Sequence, residues 1–307
     1  MNNFADRLIE SIRNKKSCVC VGLDPKTDLI PAEILSNSKS PAQAIYNFNK
    51  AIIDIVKNDV VAVKPQSAFY EKYLSEGIQC FFDTIEYAHQ KGLIVIADIK
   101  RSDIASTAEA YAEAYLKNSS ADSITVNPFL GTDSLEPFIK SCQENGKGLF
   151  ILLKTSNPGS KDFQDAILKD NRKLYELIAE KIELLGKELI GANGYSSIGA
   201  VVGATFPQEA KNIRKLLPKT FFLVPGYGAQ GAKAEDLKDY FNNDGTGAII
   251  NASRSIIYAY RMQPFYRYPV PSADPPLADK NPQEKYWQDA IKNAVQEMNT
   301  QINNIRQ

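Results

Sequence analysis

Eight short runs of aliphatic and β-branched residues recur along the chain, and each ends in polar or small residues. They are "CVCVGLD" (18–24), "VVAVKPQ" (60–66), "LIVIADIK" (93–100), "SITVNPF" (123–129), "GLFILLKTS" (148–156), "IGAVVGAT" (198–205), "TFFLVPGYG" (220–228) and "GAIINASRS" (247–255). Between them lie longer segments, such as "PAQAIYNFNKAIIDIVKND" and "NRKLYELIAEKIELLGKELIG", whose apolar positions recur at three and four. That spacing predicts amphipathic helices. Near-continuous apolar strands alternating with helices predict parallel strands covered by helices. Eight such units in 307 residues predict an α/β fold, a single (β/α)8 TIM barrel. A doubly wound sheet would call for a Gly-x-Gly-x-x-Gly turn after an early strand, and none is present.

Two segments depart from the rhythm. "MNNFADRLIESIRNKKS" reads as an amphipathic helix ahead of the first strand, without a secretory h-region. Residues 261–283 contain six prolines and cannot form a helix interior or a central strand. They read as an ordered extended excursion, anchored by Phe265, Tyr266 and Tyr268, before a last helix from about Pro282 to Ile305. Residues 1–307 are thus expected to form one barrel domain.

Charge and composition narrow the possible functions. Lys+Arg and Asp+Glu both number 36, so no global field attracts nucleic acid or an anionic membrane. No run of about 18 apolar residues predicts a membrane span. Cys18, Cys20, Cys80 and Cys142 have no metal-ligand spacing, and Cys18 and Cys20 should share one strand face. Free thiols in a reducing cytoplasm are expected. His89, the only histidine, falls near a helix end and away from the strand ends. This disfavours histidine acid–base chemistry and most transition-metal sites.

The C-terminal strand ends are polar, and that is where the active site of this fold sits. They carry Asp24, Lys64, Asp98 with Lys100, Thr125 with Asn127, and Lys154 with Thr155 and Ser156. Buried charges are tolerated when paired, so alternating acids and lysines suit one shared mouth. Asp98 and Lys100 are two apart and should share a face, with Ile96 deeper on it. "STAE" (106–109) reads as a capping box, placing Asp103 in the preceding loop over the mouth. A lysine flanked by two carboxylates stays protonated, which suits a proton donor better than a Schiff base.

A second site is predicted after strands seven and eight, the usual phosphate position of this fold. "VPGYGAQGA" (224–232) supplies Gly226, Gly228 and Gly231, and Arg254 follows strand eight. Backbone N–H groups and a guanidinium suit bidentate phosphate contact. The substrate should therefore be a small phosphorylated molecule.

"DIKRSDIAST" resembles the Asp-x-Lys-x-x-Asp signature of the orotidine 5'-phosphate decarboxylase family, in its longer bacterial-type subgroup. The resemblance runs the length of the chain through "VGLDP", "VKPQ", "TSNPGS", "VPGYGAQG" and "INASRSI". It implies that Asp24 contacts the ribose and that Lys64 joins the charged network and bonds the sugar. It implies that Asp98 lies against the substrate carboxylate and Lys100 delivers the proton. Asp103 and Thr107 would act across a homodimer interface. Ser156, or its neighbour Thr155, would contact the pyrimidine. Pro225 would line the substrate site, and Gln230 with Arg254 would hold the phosphate. The implied reaction is decarboxylation of orotidine 5'-monophosphate (OMP) to UMP, without cofactor or metal. Two alternatives stand beside it: a Mg2+-dependent aldolase like 3-hexulose-6-phosphate synthase, and a nucleotide-binding protein that retains the pocket without turnover.

Overall fold

The structure is a computed structural model that describes residues 3–228, 231–262 and 283–306. The proline-rich excursion, with Phe265, Tyr266 and Tyr268, lies outside the described residues. Eight parallel strands close a barrel in sequence order: β1 (Val19–Leu23), β2 (Ala62–Pro65), β3 (Ile94–Arg101), β4 (Ser123–Val126), β5 (Gly148–Lys154), β6 (Ser196–Val202), β7 (Thr220–Pro225) and β8 (Ala248–Ala252). β8 pairs back onto β1, with Val19 opposite Ile250. Each expected run meets one strand, though β3 extends one residue past its run and β6 begins two residues before its own. Seven strands stop one to three residues early, because their polar, Gly and Pro ends turn into the mouth loops. Asn127 shows how: its side chain accepts the Phe129 N–H and starts the turn Pro128–Leu130.

Alternation sends one set of side chains inward. Cys20, Ala62, Ile94, Ile96, Phe150, Phe221, Leu223 and Ile249 form the interior cluster. The helix Phe4–Lys15 plugs its N-terminal end with Phe4, Leu8 and Ile12. Asn3 caps that helix by accepting from the backbone of Ala5 and Asp6. Phe4 meets Phe150 edge to face at 6.0 Å. Two glycines make room for these rings. A Cβ at Gly148 would stand 2.1 Å from the Phe4 ring, and one at Gly199 would stand 2.5 Å from Phe150.

The outer core lies between strands and helices. The last helix, Gln283–Ile305, buries Trp287, Ile291, Val295, Met298 and Ile302, spaced by three and four. Trp287 packs on Phe48 and Tyr260 at about 6 Å. Its start agrees with the expected one within a residue. No helix among the described residues is long and apolar enough to cross a membrane.

Two local expectations fail. The helix after β3 begins at Ala105, and its cap residue Ile104 has no side-chain acceptor, so "STAE" is not a capping box. Asp103 supplies the local bond instead, accepting the Ile104 N–H at 2.9 Å. Cys18 and Cys20 do not share a face: Cys18 precedes β1 and packs in the outer core, while Cys20 points into the barrel. All four thiols are free and buried, and burial pushes those of Cys18, Cys20 and Cys80 up to about 12.

His89 sits in the last turn of the helix Leu74–Gln90, at the opposite end of the barrel from the mouth. Its Nδ1 lies 3.7 Å from Asp122, a buried carboxylate that also pairs with Arg7 and accepts the Val95 N–H. Contact with Asp122 raises the His89 pKa above its ordinary 6.5. The charged pair therefore adds stability below about pH 6.5, and that stability is lost as pH rises through the folded value. His89→Gln is expected to lose more unfolding free energy at pH 5.5 than at pH 8.5. The difference should be about 0.5 kcal/mol, since the imidazole is half-exposed and screened. Urea unfolding at both pH values measures it.

Candidate active site

Lys64 follows Ala62 by two on β2 and so points into the mouth, where β3 brings Asp98 to meet it. Lys64 Nζ donates to Asp98 Oδ2 at 2.7 Å, and Lys100 Nζ donates to Asp98 Oδ1 at 2.5 Å. Lys64 and Asp98 are buried, at 5% and 6% exposure, whereas Lys100 reaches solvent. Burial alone would raise the Asp98 pKa, but the charges of Lys64 and Lys100 outweigh it and hold the carboxyl well below the ordinary range. Burial likewise works to lower the Lys64 pKa, and Asp98 and Asp24 more than reverse it. Lys64 and Asp98 are thus both charged at neutral pH.

The backbone at Lys100 is special. Its φ is +46°, a left-handed conformation that costs a non-glycine residue about 1–2 kcal/mol. The β3–β4 register slips between Ala97 and Arg101 at the same place. Thr125 bridges the irregularity, donating to Asp98 Oδ1 at 2.9 Å and accepting the Lys100 N–H at 3.0 Å.

Two acceptors at the mouth face no donor. Asp24 Oδ1, just past β1, and Asn251 Oδ1 on β8 are buried without a hydrogen-bond partner among the described residues. Such an acceptor costs about 1–3 kcal/mol, which a donor on a bound ligand can offset. Asn251 neighbours Cys20 in register and lies beside Gly22, whose Cβ would stand 3.4 Å from Asn251 Oδ1. Asn251 is a site residue that carries no charge to mark it in the sequence. Its only signal is parity, since it follows inward-facing Ile249 by two.

β5 breaks the expected pattern. The β5–β6 register shifts between Leu152 and Lys154, and Lys154 turns out of the mouth. It is fully buried, pairs with Asp165 at 2.9 Å, and lies 4.7 Å from the Phe206 ring centre. Thr155 is held structurally. Its N–H donates to Gln164, its hydroxyl accepts from Gln164, and the hydroxyl donates to Asn157. The adjacent Ser156 hydroxyl has no hydrogen-bond partner among the described residues, so Ser156 is the freer of the two to meet a ligand.

The loop after β7 runs from Pro225 through Gly226, Gly228 and Gly231, at φ +105°, +70° and +95°. Other residues rarely adopt these angles. The Gly231 N–H donates to Gly228 O, and the Tyr227 hydroxyl donates to Gln301 of the last helix. Gly228 lies beside Ser255, so the loops after β7 and β8 are neighbours. Arg254 opens the short helix Arg254–Ile257, exposed and without a side-chain bond among the described residues. Gln230 lies outside the described residues. Thr107 is exposed on the helix Ala105–Ala112. Asp103 makes no ion pair among the described residues, so only Asp98 of the two expected carboxylates touches Lys100. Among the described residues, no three His, Cys, Asp or Glu side chains gather as a metal site.

Residues 17–264 match the model of the orotidine 5'-phosphate decarboxylase / HUMPS family. An orotidine 5'-phosphate decarboxylase of Clostridium botulinum (strain Loch Maree / Type A3) is 49% identical over 257 residues, covering 83% of this chain and 89% of its own. The solved Leishmania donovani OMP decarboxylase shares 32% identity at a TM-score of 0.76, covering 99% of both chains. The structure of Leishmania donovani UMP synthase matches at 33% identity and a TM-score of 0.77, and this chain spans 57% of that longer one. On sequence and fold together, the chain belongs to the orotidine 5'-phosphate decarboxylase / HUMPS family.

Proposed function

We propose that this protein decarboxylates OMP to UMP, the last step of de novo UMP synthesis. The observation that carries the reading is the Lys64–Asp98–Lys100 cluster in the same mouth as the glycine loop and Arg254. Loss of CO2 from C6 of the pyrimidine leaves a carbanion. The Lys100 ammonium stabilises that charge and then transfers a proton to C6. Asp98, ionised between two lysines, lies against the departing carboxylate, and this repulsion vanishes as neutral CO2 forms. Asp24 and Lys64 bond the ribose hydroxyls, Ser156 meets the pyrimidine, and Pro225 lines the base. Backbone N–H groups of the Gly226–Gly231 loop, Gln230 and Arg254 take the phosphate.

One lysine cannot supply the roughly 20 kcal/mol that large enzymic accelerations require. Binding energy from the remote phosphate contributes by closing the loop and excluding water. Asp103 and Thr107 complete the partner's site in a homodimer, which accounts for an Asp103 without an ion pair among the described residues. One barrel domain carries the whole activity. Four buried free thiols suit a reducing cytoplasm.

The reading is tested by following pyrimidine absorbance with OMP and excess EDTA. Turnover is expected, and loss of activity to EDTA would favour the Mg2+-dependent aldolase instead. Lys100→Ala should lower kcat by about 10⁴-fold. Mixing Lys100→Ala with Asp103→Ala subunits should restore activity toward about a quarter of wild type, because mixed dimers regain one intact site. No recovery would place Asp103 in its own subunit's site.

Arg254→Ala should reduce kcat/KM by about 10²–10⁴-fold, the worth of a bidentate charged contact. Part of that loss should return with added guanidinium. Near-normal kcat/KM would remove Arg254 from the phosphate site.

A further inference from the structure

We propose that Thr125 is a positioning residue for proton transfer, whose hydroxyl fixes the Lys100 backbone and the Asp98 carboxylate in one geometry. The inference rests on the decarboxylase reading of the site. The hydroxyl has one proton and accepting lone pairs, and it uses both capacities. It donates to Asp98 Oδ1 at 2.9 Å and accepts the Lys100 N–H at 3.0 Å. The same Asp98 oxygen receives the Lys100 ammonium at 2.5 Å. The lysine is thus tied at its backbone and its tip to two groups that are bonded to each other.

This loop of contacts matters because the backbone it holds is not self-supporting. Lys100 has φ +46°, and the strand register slips around it. A regular strand would bond the Lys100 N–H to a neighbouring backbone carbonyl. Here a side chain replaces that carbonyl. Thr125 is itself fixed: it is 1% exposed on β4, between Ile124 and Val126, which pack in the outer core. With an apolar side chain in its place, the Lys100 N–H would have no acceptor, and the segment would gain by relaxing toward ordinary strand angles. The ammonium would then leave the position from which it reaches C6. Thr125 does not touch the substrate in this scheme. It acts through Lys100 and Asp98.

The test compares Thr125→Val, which keeps shape and removes the hydroxyl, with Thr125→Ser, which keeps the hydroxyl. Wild-type turnover of OMP with EDTA comes first; its absence would overturn the decarboxylase reading, whatever the variants do. Given turnover, Thr125→Val should lower kcat by about 10²-fold, the cost of displacing a reacting group by about 1 Å. Its KM and its affinity for UMP should stay within about threefold, because the ribose and phosphate contacts remain. Thr125→Ser should stay within about threefold of wild-type kcat. A valine variant with wild-type kcat, or equal losses in the serine and valine variants at matched Tm, would overturn the proposal. If the valine variant does not fold, Thr125→Ala replaces it under the same criteria. A loss confined to KM would overturn the proposal as well.

Discussion

A carboxylate placed in the mouth of a protein barrel needs positive charge around it, and the surroundings of Asp98 follow from that requirement. Alone, the group would be protonated or the strand would move. Lys64 and Lys100 meet one oxygen each, at 2.7 and 2.5 Å, and keep the carboxyl ionised despite burial. The two lysines need Asp98 for the same reason, since close cations on adjacent strands would otherwise repel. The cluster is therefore a mutual arrangement in which losing Asp98 would leave two facing cations uncompensated. Its location follows from parity: Lys64 stands two residues beyond Ala62, and Asp98 two beyond Ile96, both of which fill the barrel interior.

The barrel delivers these groups at fixed height because its interior is filled from below. Phe4 and Phe150 occupy the space that Gly148 and Gly199 leave free, and the apolar residues above them form a floor. Polar side chains begin only where that floor ends. The catalytic reading depends on this division, since water entering from the other end would screen the ions and weaken every contact among them.

Much of this was readable in the residues. The eight runs marked the strands because parallel strands covered by helices must be apolar on both faces. Asp98, Lys100, Lys64 and the glycine loop stood out because polar groups at successive strand ends are costly unless used. Two of the failures share one physical origin. Period-two reasoning assumes an unbroken ladder, and three of the ladders slip, two of them at candidate site residues. At β5 the slip sends Lys154 outward to Asp165. At β3 it puts Lys100 into a left-handed angle that no residue type announced. The "STAE" signature failed because Asp103, one turn earlier, already bonded the chain at the helix start. Asn251 was passed over because an uncharged amide beside a conspicuous arginine carries no signal of its own. The choice between Thr155 and Ser156 needed the hydrogen bonds of Gln164, a residue eight or more positions away in the chain.

The pairing of β8 with β1 sets when the site can exist. During synthesis β1 emerges first, and one of its edges has no neighbour until β8 follows, with Val19 waiting for Ile250. Closing so long a loop is entropically unfavourable and slow. Asp24 continues from β1 and Asn251 belongs to β8, so the two unsatisfied acceptors of the mouth flank the last seam to close. A partly made chain can therefore assemble the Lys64–Asp98–Lys100 cluster while lacking the Asp24–Asn251 edge of the mouth. Nucleotide recognition thus marks the finished barrel, and the ligand itself would favour the closed seam over an open one.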